Sequence, residues 1–329
     1  MTRVLVCLDS PYEFWRFGER HTQQLHEAFP ALDVVPVQER DVPQHLDRAH
    51  VYFGWNFPAH WVGHAPHLRW VACPAAGLDY LPTDELRGAG IALTRGLGYH
   101  GRPMAEHALG LLLGFSRGLF LSRHLQTRET WWQERLAHSF FDLHGETLVI
   151  VGCGEIGQHL ADIVRALGMQ VIGVRRNPPQ REATGIEWMR TDQVHEALSR
   201  GRAVVNLLPA TQETHRFFGR PTFGSFRPSA VFVNLGRAST VDHTALLNAL
   251  DTGRLGAAAL DVVPSKPPPP DDPLRHHPRV VLTPKTAVFS HSYMDEAVAF
   301  FERNLHRYLT RQPMHGTVLP LHDGGRHVR

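Results

Sequence analysis

Residues 149–157 read Val-Ile-Val-Gly-Cys-Gly-Glu-Ile-Gly, an apolar β-branched run ending in a G-x-G-x-x-G turn. In such a turn Gly152 permits the tight bend, Gly154 lets a ligand approach the backbone, and Gly157 lets the next helix pack on the strand. The helix expected over 158–167 would aim free N–H groups and a positive dipole end at phosphates. This is pyrophosphate chemistry, so the expected ligand is a dinucleotide. A second strand, expected over 171–174, leads into Arg175, Arg176 and Asn177. A carboxylate there would hold the ribose hydroxyls of NAD(H) and repel a 2′-phosphate, whereas guanidinium groups bind that phosphate bidentately. Arg175 and Arg176 therefore point to NADP(H) in preference to NAD(H). A further oddity concerns amines: of 34 basic residues only Lys266 and Lys285 are lysines. Arginine cannot release its proton near neutrality and a buried lysine can, so both positions invite a chemical question.

The elements that would carry these residues alternate strand and helix, the pattern of parallel sheets covered on both faces. Early strands are expected over 4–8, 34–37, 51–53, 70–73 and 91–94. Gly96, Gly98 and Gly101 then mark a crossing between domains. A long helix is expected from Pro103 to about Phe120, where proline at the first turn costs little. Leu109, Leu111, Leu112, Leu113, Phe115 and Leu119 make it apolar almost all round, so it is expected in a core or against a second subunit, and a homodimer is expected. Six further strands follow, over 148–151, 171–174, 203–207, 231–234, 257–261 and 280–283, as in a doubly wound dinucleotide domain. Residues 290–311 read as a helix with Met294, Ala297, Phe301, Leu305 and Leu309 on one side, and 322–329 read as a frayed tail.

Composition narrows the classes of function. A formal net charge of +2 and no basic run with interleaved aromatics argue against a nucleic-acid partner. The longest apolar stretch is interrupted by Glu106, His107, Ser116 and Arg117, so no membrane span is expected. Cys7, Cys73 and Cys153 form no metal or disulfide framework, and the N-terminus enters a strand directly. A cytoplasmic setting is expected.

From about residue 68 to 287 the chain resembles the D-isomer-specific 2-hydroxyacid dehydrogenases, especially their glyoxylate/hydroxypyruvate reductase branch. The matching segments are WVACPAAGLD at 70–79, Ala105-Glu106-His107, the GCGEIG turn, Leu208-Pro209 with Thr211 and Thr214, Asn234-Leu235-Gly236-Arg237, Ala259-Leu260-Asp261-Val262, and Thr283-Pro284. The resemblance implies an α/β protein of two Rossmann-like domains. A doubly wound dinucleotide domain, 98–287, would be inserted into a flavodoxin-like substrate domain, 1–97 and 288–329, with the active site in the cleft. It also implies that Glu155, Ile156, Leu208, Pro209, Thr214, Leu235, Gly236 and Asp261 line the dinucleotide. Arg237 would hold the substrate carboxylate and polarise its carbonyl, a task suited to a guanidinium fork. Ala76, Gly77 and Leu78 would donate backbone N–H bonds to the same carboxylate.

The chain departs from the family pattern at two positions. Where relatives carry Glu-Pro this sequence has Lys266-Pro267, and where they carry His after Thr-Pro it has Lys285. In the family that histidine donates the proton and the glutamate orients it. The expected reaction is hydride transfer from NADPH to C2 of a small anionic 2-oxo acid, with Lys285 as proton donor and Lys266 and Arg237 as neighbouring cations. A cation in place of an anion at 266 favours a doubly anionic substrate, a dicarboxylate or a phosphonate. Two other readings stay open, a Schiff-base lysine enzyme and a nucleotide-sensing binding protein.

Overall fold

The computed structural model describes residues 1–179 and 185–321; the tail expected to fray, 322–329, lies outside the described residues. The chain divides into two compact units, Met1–Tyr99 with Ser290–Arg329, and His100–Phe289.

In the first unit five parallel strands, β1 (Arg3–Cys7), β2 (Asp33–Pro36), β3 (Val51–Gly54), β4 (Trp70–Cys73) and β5 (Ala92–Arg95), lie in the order 5-4-3-1-2. This is the flavodoxin-like arrangement. Alternation along each strand sends side chains to opposite faces. Val4, Val6, Val51, Phe53 and Trp70 join one core with Met294, Val298 and Phe301 of the helix Tyr293–Leu309. Leu5, Tyr52, Val71 and Leu93 join the other with Val42, Trp61 and Leu86. Phe53 stacks flat on Phe301 with centroids 4.1 Å apart. A short strand absent from the sequence reading, Thr317–Leu319, adds antiparallel to β5 and closes that edge.

The second unit is a seven-stranded parallel sheet: β6 (Thr147–Val151), β7 (Gln170–Arg175), β8 (Glu187–Arg190), β9 (Ala203–Asn206), β10 (Ala230–Asn234), β11 (Leu255–Leu260) and β12 (Val280–Leu282). Its order is 12-11-10-9-6-7-8, which places the reversal of chain direction between β6 and β9. The sequence reading expects six strands; β8 is the seventh. Its Glu-Trp-Met-Arg buries only Met189 fully, because an edge strand contacts the core on one side. Residues of β6, β7, β9 and β10 are buried on both faces, which gives the continuous apolar runs seen in the sequence.

The long helix runs Gly101–Ser116, not to Phe120. Pro103 still falls in its first turn, where N–H groups have no intrahelical partner. Gly118, at φ 64°, breaks the run before a separate helix, Leu119–Leu125. The first helix packs against Glu155–Ala166 through Ala105, Ala108, Leu111 and Leu112. Beyond that packed face, Leu113, Leu119, Trp131 and Phe140 stay exposed. No helix among the described residues is long and apolar enough to cross a membrane.

Candidate active site

Loops at the carboxyl ends of β6, β7, β9, β10, β11 and β12 carry the expected dinucleotide, arginine and lysine positions of the second unit. In an open α/β sheet this edge, at the point where strand order reverses, is where ligands sit. The turn after β6 shows why its residue types are restricted. Gly152 has φ 85°, and a Cβ there would lie 2.9 Å from backbone atoms of Leu207 and Leu208. At Gly157 a Cβ would lie 2.9 Å from Cys153 Sγ and 3.0 Å from Ile150, so any side chain would push helix from strand. A Cβ on Gly154 would meet only the Gly152 carbonyl, at 4.0 Å, and the turn is open on that side. The helix Glu155–Ala166 begins on Gly154, which has no side chain to cap it. An open turn beneath an uncapped helix start fits the pyrophosphate of a dinucleotide. Ile156 follows in the helix's first turn, half-buried. Arg175 ends β7, half-buried, with its guanidinium 6.0 Å from the Trp188 ring centroid; Arg176 is exposed just beyond.

After β9 and β10 a sealed polar cluster sets two loops at once. Asn206 and Asn234 are paired in register and wholly buried, as is Thr240. The Asn206 amide donates to Asn234 Oδ1 at 2.9 Å and to Thr240 Oγ1 at 2.7 Å, and its Oδ1 accepts the Leu208 N–H at 3.0 Å. Asn234 Oδ1 accepts the Gly236 N–H at 3.1 Å. Thr240 in turn donates to the Arg237 carbonyl at 2.6 Å. Each member left unsatisfied in such a buried cluster costs about 1–3 kcal/mol. The cluster therefore holds Leu208–Pro209 and Leu235–Gly236–Arg237 in one arrangement. Thr214 spends its hydroxyl inside its own loop, donating to the Pro209 carbonyl at 2.6 Å. Leu235 and Gly236 are buried, and the Arg237 side chain is half-buried, with Nη1 3.1 Å from the Gly236 carbonyl.

The loop after β12 is built on Asp261, which is 4% exposed at the end of β11. Its carboxylate accepts from Thr283 Oγ1 at 2.6 Å, Thr286 N–H at 2.9 Å and Ala287 N–H at 3.2 Å. Its carbonyl accepts the Lys285 N–H at 3.0 Å. Lys285 is thereby held at φ 58°, a conformation side chains other than glycine rarely adopt. Lys285 is exposed, whereas Asp261, whose carbonyl holds its N–H, is buried. Lys266 is exposed as well, on the loop following β11, with no hydrogen bond or ion pair among the described residues. His276 and His277 bond the Pro270 carbonyl and Asp251.

In the first unit, Ala76, Gly77 and Leu78 follow β4 and are half-buried; Arg95 Nη1 lies 3.4 Å from the Ala76 carbonyl. Tyr99 and Tyr293 both donate to the Pro74 carbonyl, at 2.6 and 3.1 Å, and so anchor the start of that loop. Trp15 and Trp55, from the loops after β1 and β3, sit 5.4 Å apart at this sheet's own reversal point.

Residues 109–287 match the model of the D-isomer-specific 2-hydroxyacid dehydrogenase NAD-binding domain, more than half of the chain. The chain belongs to this family. It is an NAD(P)-dependent oxidoreductase acting on the CH–OH of 2-hydroxy acids. It is 33% identical to a glyoxylate reductase of Korarchaeum cryptofilum over 71% of this chain and 72% of that one. A D-isomer-specific 2-hydroxyacid dehydrogenase family structure from Aeromonas salmonicida aligns with TM-score 0.80 at 29% identity, covering 96% of this chain and 98% of the other. An NADPH-dependent glyoxylate/hydroxypyruvate reductase of Sinorhizobium meliloti, in complex with NADP and sulfate, aligns with TM-score 0.80 at 25% identity, covering 97% and 98%. Two Rossmann-like parallel-sheet domains are the 2-hydroxyacid dehydrogenase fold. Asn206 and Thr240, which shape the site, escaped the sequence reading, and His107 and Thr283 entered it only as motif residues with no part in the site. An asparagine closing an otherwise apolar strand, as in both β9 and β10, was the one available signal.

Proposed function

We propose that this dehydrogenase reduces a small anionic 2-oxo acid with NADPH, Arg237 holding the carboxylate and carbonyl and Lys285 donating the proton. The observation that carries this reading is the placement of the glycine turn, Arg237 and Lys285 on loops at one sheet edge. Gly152, Gly154, Glu155, Ile156 and Gly157 hold the pyrophosphate, and Leu208, Pro209, Thr214, Leu235, Gly236 and Asp261 border the rest of the cofactor. Bound NADPH supplies the hydride. Arg237 presents two parallel donors to a planar carboxylate, and its charge stabilises oxygen as negative charge develops there. The ammonium of Lys285 donates a proton to the alkoxide that results. Ala76, Gly77 and Leu78 are the proposed backbone donors to the carboxylate in the first unit. Lys266 is proposed as a cation for a second acidic group, which makes a dicarboxylate or phosphonate the preferred substrate.

The test is NADPH oxidation against glyoxylate, hydroxypyruvate, a 2-oxo dicarboxylate and a 2-oxo phosphonate, with NADH as control. Turnover with none of them, alongside tight NADPH binding, would reject the reductase reading in favour of a nucleotide-binding role. Trapping of a covalent adduct by borohydride would point instead to Schiff-base chemistry. The cofactor choice rests on Arg175 and Arg176, and the NADP-bound Sinorhizobium relative supports it. Charged hydrogen bonds are worth about 1.5–3 kcal/mol each. Replacing both arginines by alanine is expected to raise the KM for NADPH by roughly 10²- to 10⁴-fold and to leave that for NADH unchanged. An equal rise for both cofactors would refute 2′-phosphate recognition.

A homodimer is part of the same proposal. Leu113, Leu119, Trp131 and Phe140 are 36%, 57%, 77% and 45% exposed on one part of the second unit. Large exposed apolar side chains this close in sequence suit a surface that a second copy of the chain covers. Sedimentation equilibrium should return twice 37.1 kDa, and Leu119→Asp with Trp131→Asp should return a single chain mass.

A further inference from the structure

We propose that His107 is a positioning residue for Lys285, acting through Thr283 and Asp261; the inference rests on Lys285 as the proton donor. His107 lies on the helix Gly101–Ser116, 176 positions from Thr283 in sequence, yet its Nε2 is 3.2 Å from Thr283 Oγ1 and 3.7 Å from Asp261 Oδ1. Its side chain is 20% exposed.

The direction of each hydrogen bond follows from counting protons. The Asp261 carboxylate oxygens accept from Thr283, Thr286 and Ala287, so the single Thr283 hydroxyl proton goes to Oδ1. That hydroxyl has only lone pairs left to offer the imidazole. His107 Nε2 therefore carries the hydrogen and donates to Thr283. Burial holds its pKa below the usual imidazole value, with Asp261 opposing that shift. Hydrogen on Nε2 is what the chain requires, and burial favours the neutral ring that carries it there.

What this chain controls is the loop that presents the amine. Thr283, Thr286 and Ala287 all bond the Asp261 carboxylate, and the Lys285 N–H bonds the carbonyls of Asp261 and Thr283 at 3.0 and 2.9 Å. Left-handed backbone at a residue with a side chain persists only where its surroundings over-determine it. His107 supplies a second bond to the Thr283 hydroxyl, from the helix Gly101–Ser116. Without it Thr283 is held by Asp261 alone, the loop that Asp261 anchors is less closely fixed, and the amine is presented in more than one arrangement. A misplacement of about 1 Å in a reacting group can cost up to ~100-fold in rate.

The experiment compares His107→Phe, which keeps an aromatic ring without a donor, with His107→Gln, which keeps an N–H donor. The phenylalanine variant should lose roughly 10- to 100-fold in kcat, with the KM for the oxo acid and the Kd for NADPH within about twofold of wild type. Glutamine should recover most of the loss. Wild-type kcat in His107→Phe, or an equal loss in both variants together with a lowered Tm, would overturn the proposal. In a Lys285→Ala background His107→Phe should cost nothing further; an undiminished loss there would also overturn it. Full turnover by Lys285→Ala alone marks the distinct failure of the donor assignment, and the positioning role falls with it.

Discussion

Lys285→Ala is expected to lower the reductase kcat by about 10²- to 10⁴-fold, the usual worth of a positioned general acid. NADPH binding should be unchanged. Alanine has the same Cβ as lysine, so the strain of φ 58° is no greater, and the backbone bonds to Asp261 and Thr283 remain available. Loss of activity can then be read as loss of the amine, with an unchanged Tm as control. Lys285→Arg separates two roles of that amine. Arginine keeps the charge and does not release its proton near neutrality. If the proton matters, arginine should be nearly as inactive as alanine; if only the charge matters, it should restore turnover. Near-wild-type kcat in Lys285→Ala would remove the residue from the mechanism altogether.

Arg237→Ala should act on substrate and transition state together. Removing one partner of a hydrogen-bonded charge pair costs about 2–5 kcal/mol, which corresponds to a fall in kcat/KM of roughly 30- to several-thousand-fold. The KM for the oxo acid should rise and kcat should fall, because in the proposed mechanism the same guanidinium binds the carboxylate and faces the developing alkoxide. The loop itself should survive, since Asn206, Asn234 and Thr240 hold it by the backbone of residues 236–237. Arg237→Lys should recover only part of the loss, as a point charge replaces a planar fork. A kcat/KM within about threefold of wild type, judged against the expected range, would show that another cation receives the carboxylate.

The two arginine and lysine experiments differ in what they leave intact. Arg237 is half-buried and its main chain belongs to a sealed cluster, whereas Lys285 is exposed on a loop held from below by Asp261. A general disturbance of folding would lower Tm in both. A specific effect would leave Tm unchanged and divide the kinetic constants as described.

Much of the fold could be read directly from local pattern. Strands of a parallel sheet buried on both faces must be apolar without interruption, so β6, β9 and β10 stand out in the sequence. The glycine turn was equally plain, because only glycine tolerates φ 85° with Leu207 and Leu208 packed against it. By contrast β8 and the strand Thr317–Leu319 were illegible: each lies at an edge, contacts one neighbour, and leaves residues exposed that break a buried apolar run, Glu187 and Arg190 in the first and Thr317 and Val318 in the second. The helix end at Ser116 was misread because apolar character continues through Leu119 and Phe120, while the break is made by the backbone at Gly118.

For the candidate site, residue types and their order along the chain determined which groups are present: a phosphate-binding turn, two arginines at the end of β7, and an amine and a guanidinium after later strands. Tertiary structure alone decided how those groups are held. Asn206 meets Thr240 and Asp261 anchors Lys285 because the parallel sheet brings its strand ends to one edge, and His107 meets Thr283 because the helix Gly101–Ser116 packs beside them. Chemical propensity is a local property, while a hydrogen bond between residues far apart in sequence exists only once the sheet has set their separation and the core has excluded competing water.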